Sequence, residues 1–276
     1  MKKFPKKRVV ITGAGSGLGR ALAIEFAKKE WKVLVSDVNL DGAKETVKLV
    51  NESGGEGFAV QCDVTKWEQV QKLADAAVSK WGGTDIIVNN AGVLNVGVME
   101  KVKLEDWRWI IDINLMGVIH GCKAFIPLFK KQGSGHVVNI SSAAGFCAMA
   151  EMGPYNVTKA AVISLSETLR PELKYQNIGV TVVCPTFFKT NLLDQTRSTD
   201  KKSYDRMDAF FNKSMGSAEG VSRHIIKCVK KNKTYAIKQP DAKLWWSIKR
   251  HFPNFYIKLQ SFVFGRGILD KAMGVK

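Results

Sequence analysis

A chain of 276 residues lies near the upper end for one hydrophobic core, so a single domain is the starting expectation. With 45% apolar and 24% charged residues it is too apolar for a disordered chain, and no run approaches the roughly 18 consecutive apolar residues of a membrane span. Five widely spaced cysteines (Cys62, Cys122, Cys147, Cys184, Cys228) form no C-x-x-C pair, which excludes a zinc ribbon or thioredoxin motif and points to reduced thiols in the cytoplasm.

The net charge of +17 is unevenly spread. Residues 1–8 hold five Lys/Arg and no acid, and residues 221–276 hold thirteen against Asp241 and Asp270. The body between them is nearly neutral. Such basic ends suit an anionic surface, lipid headgroups or nucleic acid, or form a solvated face that keeps the chain soluble. The start, Met1 to Arg8, is charged like a signal peptide, but the apolar run Val9-Val10-Ile11 stops at Thr12-Gly13. A cytoplasmic location is expected.

In chain order, short apolar runs predict strands over 7–12, 32–36, 57–62, 84–89, 135–141, 179–184 and 234–238. Amphipathic stretches predict helices over 17–30, 41–53, 66–81, 104–131, 155–175 and 218–231. Continuously apolar strands separated by helices mean a parallel sheet covered on both faces, a doubly wound α/β fold. Residues 1–238 are the expected catalytic domain, with 186–217 as a lid, followed by a basic, aromatic extension over 239–276.

The first strand runs into Gly13-Ala14-Gly15-Ser16-Gly17-Leu18-Gly19, and a helix follows. Glycines there allow a sharp turn and a close backbone approach to a pyrophosphate, while the helix offers its free N–H groups. The second strand ends at Asp37, 24 residues beyond Gly13. A carboxylate at that place accepts from ribose hydroxyls and repels a 2′-phosphate, which favours NAD over NADP. Arg20 and Lys44 could oppose this if their loop folded back. Asp63, followed by Val64, closes the third strand, where it could meet the adenine amino group or cap the helix starting near Lys66. Asn90-Ala91-Gly92 closes the fourth strand with small residues that suit a cofactor lying against the sheet.

Tyr155 and Lys159, four apart, share one face of a helix. An ammonium beside a phenol favours phenolate, drawing the tyrosine from about 10 toward the working pH as a general acid or base. Ser142, thirteen residues upstream at the end of the fifth strand, could hold a substrate carbonyl beside the phenol. The four histidines have no metal-ligand spacing, and no metal site is expected.

These motifs together resemble the short-chain dehydrogenase/reductase family over about residues 7–238. The match comprises T-G-x-x-x-G-x-G at 12–19, N-N-A-G at 89–92, Asn114, Ser142-x12-Tyr155-x3-Lys159, and Pro185 after the sixth strand. The resemblance implies a single-domain Rossmann-like sheet of about seven strands and an Asn114-Ser142-Tyr155-Lys159 tetrad. In it, tyrosine exchanges a proton with the substrate oxygen while hydride moves to or from the nicotinamide. Serine orients that oxygen, lysine holds the ribose and lowers the tyrosine's pKa, and the asparagine's backbone region retains a relay water. Thr190 matches the family's carboxamide-contacting threonine. Where the family usually has Pro-Gly, this chain has Pro185-Thr186, a loss of backbone freedom beside the nicotinamide. Family members are frequently dimers or tetramers, so a homo-oligomer is expected.

Loops at the carboxyl ends of the strands face the substrate. Here they are 93–99, 143–152 and the lid with Phe187, Phe188, Met207, Phe210 and Phe211, all mainly apolar, with Glu151 as a charge among them. They imply a hydrophobic alcohol or ketone, such as a lipid, steroid, retinoid or long-chain carbonyl compound. The extension carries apolar residues at spacings of three and four, broken at Pro253, which starts a second helix. It meets a bilayer interface, folds over the cleft or packs in a dimer; these alternatives stay open. Nucleic acid is not expected, since no recognition motif accompanies the basic residues. The rival reading, a dinucleotide sensor without catalysis, has no use for the Tyr–Lys pair.

Overall fold

The computed structural model describes residues 4–188, 191–214 and 216–275. Its strands are β1 (Arg8–Thr12), β2 (Lys32–Asp37), β3 (Glu56–Gln61), β4 (Ile86–Asn89), β5 (Asn95–Val96), β6 (Gly135–Ile140), β7 (Ile178–Val183), β8 (Arg197–Ser198) and β9 (Tyr235–Ala236). Seven of them form one parallel sheet in the order β3-β2-β1-β4-β6-β7-β9. Strand order reverses between β1 and β4, and the crevice opened there at the carboxyl ends is where ligands enter such sheets. β1, β4, β6 and β7 are buried throughout, as their unbroken apolar runs require. Side chains alternate across the sheet. Val9 and Ile11 face a core with Leu22, Phe26 and Trp31, while Val10 faces one with Leu73, Ile87 and Phe125.

The helices between strands are α1 (Gly17–Ala27), α2 (Leu40–Glu52), α3 (Trp67–Trp81), α4 (Leu104–Ile111), α5 (Gly117–Gln132), α6 (Ala144–Cys147), α7 (Gly153–Glu172), α8 (Lys201–Asn212) and α9 (Ala218–Lys230). Three more, α10 (Pro240–His251), α11 (Pro253–Gly265) and α12 (Ile268–Met273), form the extension, with Pro253 opening the second as expected. Helices α3 and α5 stop at Gly82 and Gly133, whose φ of 67° and 69° only glycine adopts without cost.

The helix expected over 104–131 differs in one respect. A π-helical turn, Asp112–Met116, separates α4 from α5 and carries Asn114. The whole run Leu104–Gln132 is 29 residues long with a window of mean hydropathy 1.3, so by length and composition it could cross a membrane. The same is true of a core helix, and Val118, Cys122, Phe125 and Phe129 on this one pack against the sheet.

Arg8, the last of the basic residues at the start of the chain, is part of the fold. Arg8 and Asp85, both buried, tie β1 to the entry of β4: the guanidinium meets the carboxylate at 3.2 Å, and the Arg8 amide donates to Asp85 at 2.8 Å. Removing the carboxylate leaves a buried cation with the Trp81 carbonyl as its remaining partner. Asp85→Ala should therefore cost about 3–5 kcal/mol in urea unfolding, whereas Arg8→Met with Asp85→Leu should cost far less.

Candidate active site

The crevice begins at the glycine loop. Gly13 has φ 61°, and a Cβ on it would lie 2.7 Å from the Ala91 Cα, so two loops of backbone touch there. Gly15 is pressed against Asp37, where a Cβ would lie 2.9 Å from the carboxyl carbon. Gly17 has φ 53° and opens α1. The helix has no acid in its first turn, and the Ser16 side chain caps none of its N–H groups, which leaves its positive end open to an anion. Gly19 stands behind the loop, packed on the Gly13 carbonyl. Asn90 fastens the loop from across the switch point, donating to the carbonyls of Thr12 and Gly13 at 2.9 Å each.

The Asp37 carboxylate accepts from the Gly15 amide at 2.8 Å and the Asn39 amide at 2.9 Å, which fixes it at the rim of the crevice. Arg20 is engaged elsewhere, with Glu45 at 2.7 Å, Thr46 at 3.0 Å and the Gly15 carbonyl at 2.5 Å. Lys44 pairs with Asp41. Asp63 is not a helix cap: it accepts from the Thr65 amide and hydroxyl, making a local turn, and Lys66 takes the cap position. Asp63, Val64, Ala91 and Gly92 line the crevice with Gly13, Gly15, Ser16, Gly17, Leu18, Asp37 and Asn90. This cradle, without side chains at its closest points, fits the pyrophosphate and ribose of a dinucleotide. Thr190 lies outside the described residues.

Tyr155, Lys159 and Ser142 meet at the inner end. Ser142 donates to the Pro185 carbonyl at 3.4 Å and accepts from the Ala144 amide at 3.2 Å. The Lys159 ammonium donates to the Ile140 carbonyl at 3.0 Å and lies 5.5 Å from the Tyr155 ring centroid. Asn114 does not face the crevice. Its buried amide brackets Val93, accepting from the Val93 amide at 2.8 Å and donating to its carbonyl at 2.9 Å. Pro185 and Thr186 both line the crevice, and Thr186 is not among the residues with positive φ, so the place held by glycine elsewhere demands no glycine here.

The expected acidification of the phenol is not built into the protein alone. Burial pushes Tyr155 up to about 12, opposed by hydrogen bonding with Ser142. Burial also pulls Lys159 down to about 8. An ammonium that is itself buried loses its own proton more readily, and here it is directed at a carbonyl rather than at the phenol oxygen.

Beyond this group the crevice widens into a cleft, the two together enclosing about 1150 Å³. Val93 and Leu94 line it, but the rest of the loop 93–99 does not: Asn95 and Val96 form β5 and pair with β8, and Met99 is exposed. Phe187 stacks on Phe210 at 4.8 Å between centroids and meets Phe211 edge-on at 5.3 Å. Charged residues break the apolar lining: Asp112, Asp241 and Arg206 are part of it. Arg206 of α8 pairs with Glu151 and with Asp270 of α12, and Lys202 reaches Asp270 at 3.2 Å. Thus the extension folds over the cleft, and Trp245, Tyr256, Gln260 and Val263 form part of its wall. Tyr256 anchors it by donating to the Cys147 carbonyl at 2.8 Å. Neither Arg206 nor Tyr256 carries a local sequence signal, because their partners lie far along the chain.

Comparison with known proteins agrees with this geometry. The family model for short chain dehydrogenases matches residues 7–201. A Mycobacterium tuberculosis protein named as an oxidoreductase, SadH, is 36% identical over 247 residues, 88% of this chain and 90% of that one. A short chain dehydrogenase/reductase from Burkholderia phymatum, solved in complex with NAD, superposes with TM-score 0.86 at 31% identity, covering 94% of this chain and 97% of that chain. A 3-ketoacyl-(acyl-carrier-protein) reductase from Brucella melitensis, complexed with NADH, gives TM-score 0.73 at 28% identity over 84% of this chain and 94% of its own.

The buried ammonium has a thermodynamic signature. With Lys159 near 8 when folded and 10.5 when unfolded, the unfolded chain holds the extra proton between those values, so stability from this group rises with pH across that window. Relative to Lys159→Met, the wild type should gain about 3 kcal/mol between the two ends. Parallel urea titrations of both forms would measure it.

Proposed function

The chain belongs to the short-chain dehydrogenase/reductase family and is an NAD(P)-dependent oxidoreductase, and from that premise we propose that it interconverts an alcohol and a carbonyl on a hydrophobic substrate with Tyr155 as acid and base. The observation that carries this reading is the meeting of Tyr155, Ser142 and Lys159 between a glycine-walled crevice and an aromatic cleft. The nicotinamide supplies or accepts the hydride. In reduction, the Tyr155 phenol gives its proton to the carbonyl oxygen; in oxidation, its phenolate takes the hydroxyl proton. Ser142 holds that oxygen beside the phenol. Lys159, reached from the crevice, holds the nicotinamide ribose, and its burial keeps a mobile proton one helical turn from the tyrosine. Asn114 acts at a distance, by fixing the backbone of Val93 at the cleft wall. Asp37 accepts from the adenosine ribose hydroxyls, which favours NAD; a 2′-phosphate would face its carboxylate with Arg20 already engaged.

The hydrophobic substrate is supported by the stacked phenylalanines and by the pairing of Arg206 with Glu151 and Asp270. Nicotinamide reduction with apolar secondary and long-chain primary alcohols is the test. Turnover should be faster with NAD than with NADP, and Tyr155→Phe should lower it by about 10²–10⁴-fold while retaining cofactor binding. Faster turnover with NADP would overturn the role given to Asp37. An unaffected Tyr155→Phe variant would overturn the mechanism.

A further inference from the structure

Exposed apolar surface is concentrated on the extension. Of fifteen exposed large apolar side chains among the described residues, eight lie between Leu244 and Ile268. Some of these, such as Trp245 and Phe264, turn inward to the cleft. Others point away from it. On α11 and at its C-cap, Phe255, Lys258, Phe262 and Arg266 recur at intervals of three and four and share one face. Phe255 is 59% exposed and Phe262 is 51% exposed. Arg266 stacks on Phe262 at 4.9 Å from the ring centroid. The other side of the same helix presents Tyr256, Gln260 and Val263 to the cleft. A helix with its inner face in a substrate site and rings on its outer face has more apolar surface than folding alone explains.

The charge around these rings is of one sign. Residues 239–276 hold seven Lys/Arg against Asp241 and Asp270. Asp270 is taken by the lid cations Arg206 and Lys202. Asp241 lines the cleft. Lys249, Arg250, Lys258 and Arg266 take part in no salt bridge among the described residues. A second copy of the chain would set this positive face against another, at a cost. Nucleic acid bases would stack on the rings, but Leu244 and Ile257, exposed on the same extension, offer no stacking surface. Aromatic and aliphatic side chains interleaved with cations fit an anionic bilayer, where the rings enter the headgroup boundary and the cations meet lipid phosphates.

We propose that the outer face of α10 and α11 docks on an anionic phospholipid surface, so that the wall of the substrate cleft rests against the membrane. The substrate half of this statement rests on the hydrophobic-substrate reading above; the docking half does not. A membrane-dissolved alcohol would then reach Tyr155 by passing beneath the extension rather than through water.

The experiment is flotation of the full chain with vesicles of phosphatidylcholine alone, or with one-third phosphatidylglycerol. The wild type should float with the anionic vesicles and stay behind with the neutral ones. Lys258→Gln with Arg266→Gln should lower the partition coefficient about 25-fold, taking about 1 kcal/mol per cation near the surface. Phe255→Ser with Phe262→Ser should lower it at least about tenfold, with the thermal midpoint held in both variants. The proposal fails if the wild type floats with neither lipid, or if both variants float as it does. It also fails if Phe255→Ser with Phe262→Ser dissociates an oligomer and the chain shows no lipid binding, or if an oligonucleotide is bound and vesicles are not. Vesicle binding by a protein that oxidises only water-soluble alcohols would keep the docking face and remove the hydrophobic substrate.

Discussion

The Lys159 ammonium sits at the junction of sheet, helix and cleft, only 4% exposed, and it sets the terms for everything around it. A buried cation is tolerated only with a partner, and the partner is the Ile140 carbonyl at the last residue of β6. That bond requires α7 to pass close to the strand end. Two further contacts hold the helix there: the Ser141 hydroxyl donates to the Lys159 carbonyl at 2.7 Å, and a Cβ on Gly145 would lie 2.7 Å from the same oxygen. Tyr155, one turn earlier, is thereby placed beside Ser142 at the crevice. Position and proton affinity come from one cause. The burial that fixes the pair also draws the lysine to about 8 and pushes the tyrosine up to about 12.

The two halves of the site are built by different means. The cofactor half is made of sheet and tight backbone contact, with Gly13 against Ala91 and Asn90 fastened to the glycine loop. Little there can move without breaking the parallel ladder. The substrate half is assembled from a lid, a loop and the extension, joined through Arg206 with a carboxylate on each side. Its Glu151 has φ 61°, a conformation that costs a non-glycine residue about 1–2 kcal/mol and that its ion pair helps to hold.

Most of the sheet is legible because a strand buried on both faces must be apolar throughout, and the helices between its strands show their period; α8 falls in the polar and aromatic stretch 186–217, which shows none. The loop at Gly13 and the triplet Ser142, Tyr155 and Lys159 were legible because their chemistry depends on short spacings along the chain. What escaped the sequence depends on distance. The π-helical turn at Asn114 leaves the apolar period nearly unchanged, so 104–131 reads as one uninterrupted helix. The pairing of Arg206 with Asp270 spans 64 residues and cannot be seen locally. The direction of the tyrosine shift is hidden for a related reason: spacing places an ammonium near a phenol, but only the fold reveals that both are buried and that the ammonium is aimed at a carbonyl.

Burial, rather than the neighbouring lysine, governs Tyr155 in the protein by itself. Carbon-13 NMR of ring-labelled tyrosine across an alkaline titration tests this directly, with Tyr155→Phe assigning the resonance. The Tyr155 signal should hold its protonated shift beyond pH 10 and move only near 12. A signal absent from the Tyr155→Phe spectrum that titrates below about 9, well under an ordinary tyrosine, would show that Lys159 acidifies the phenol in the free protein and would contradict it.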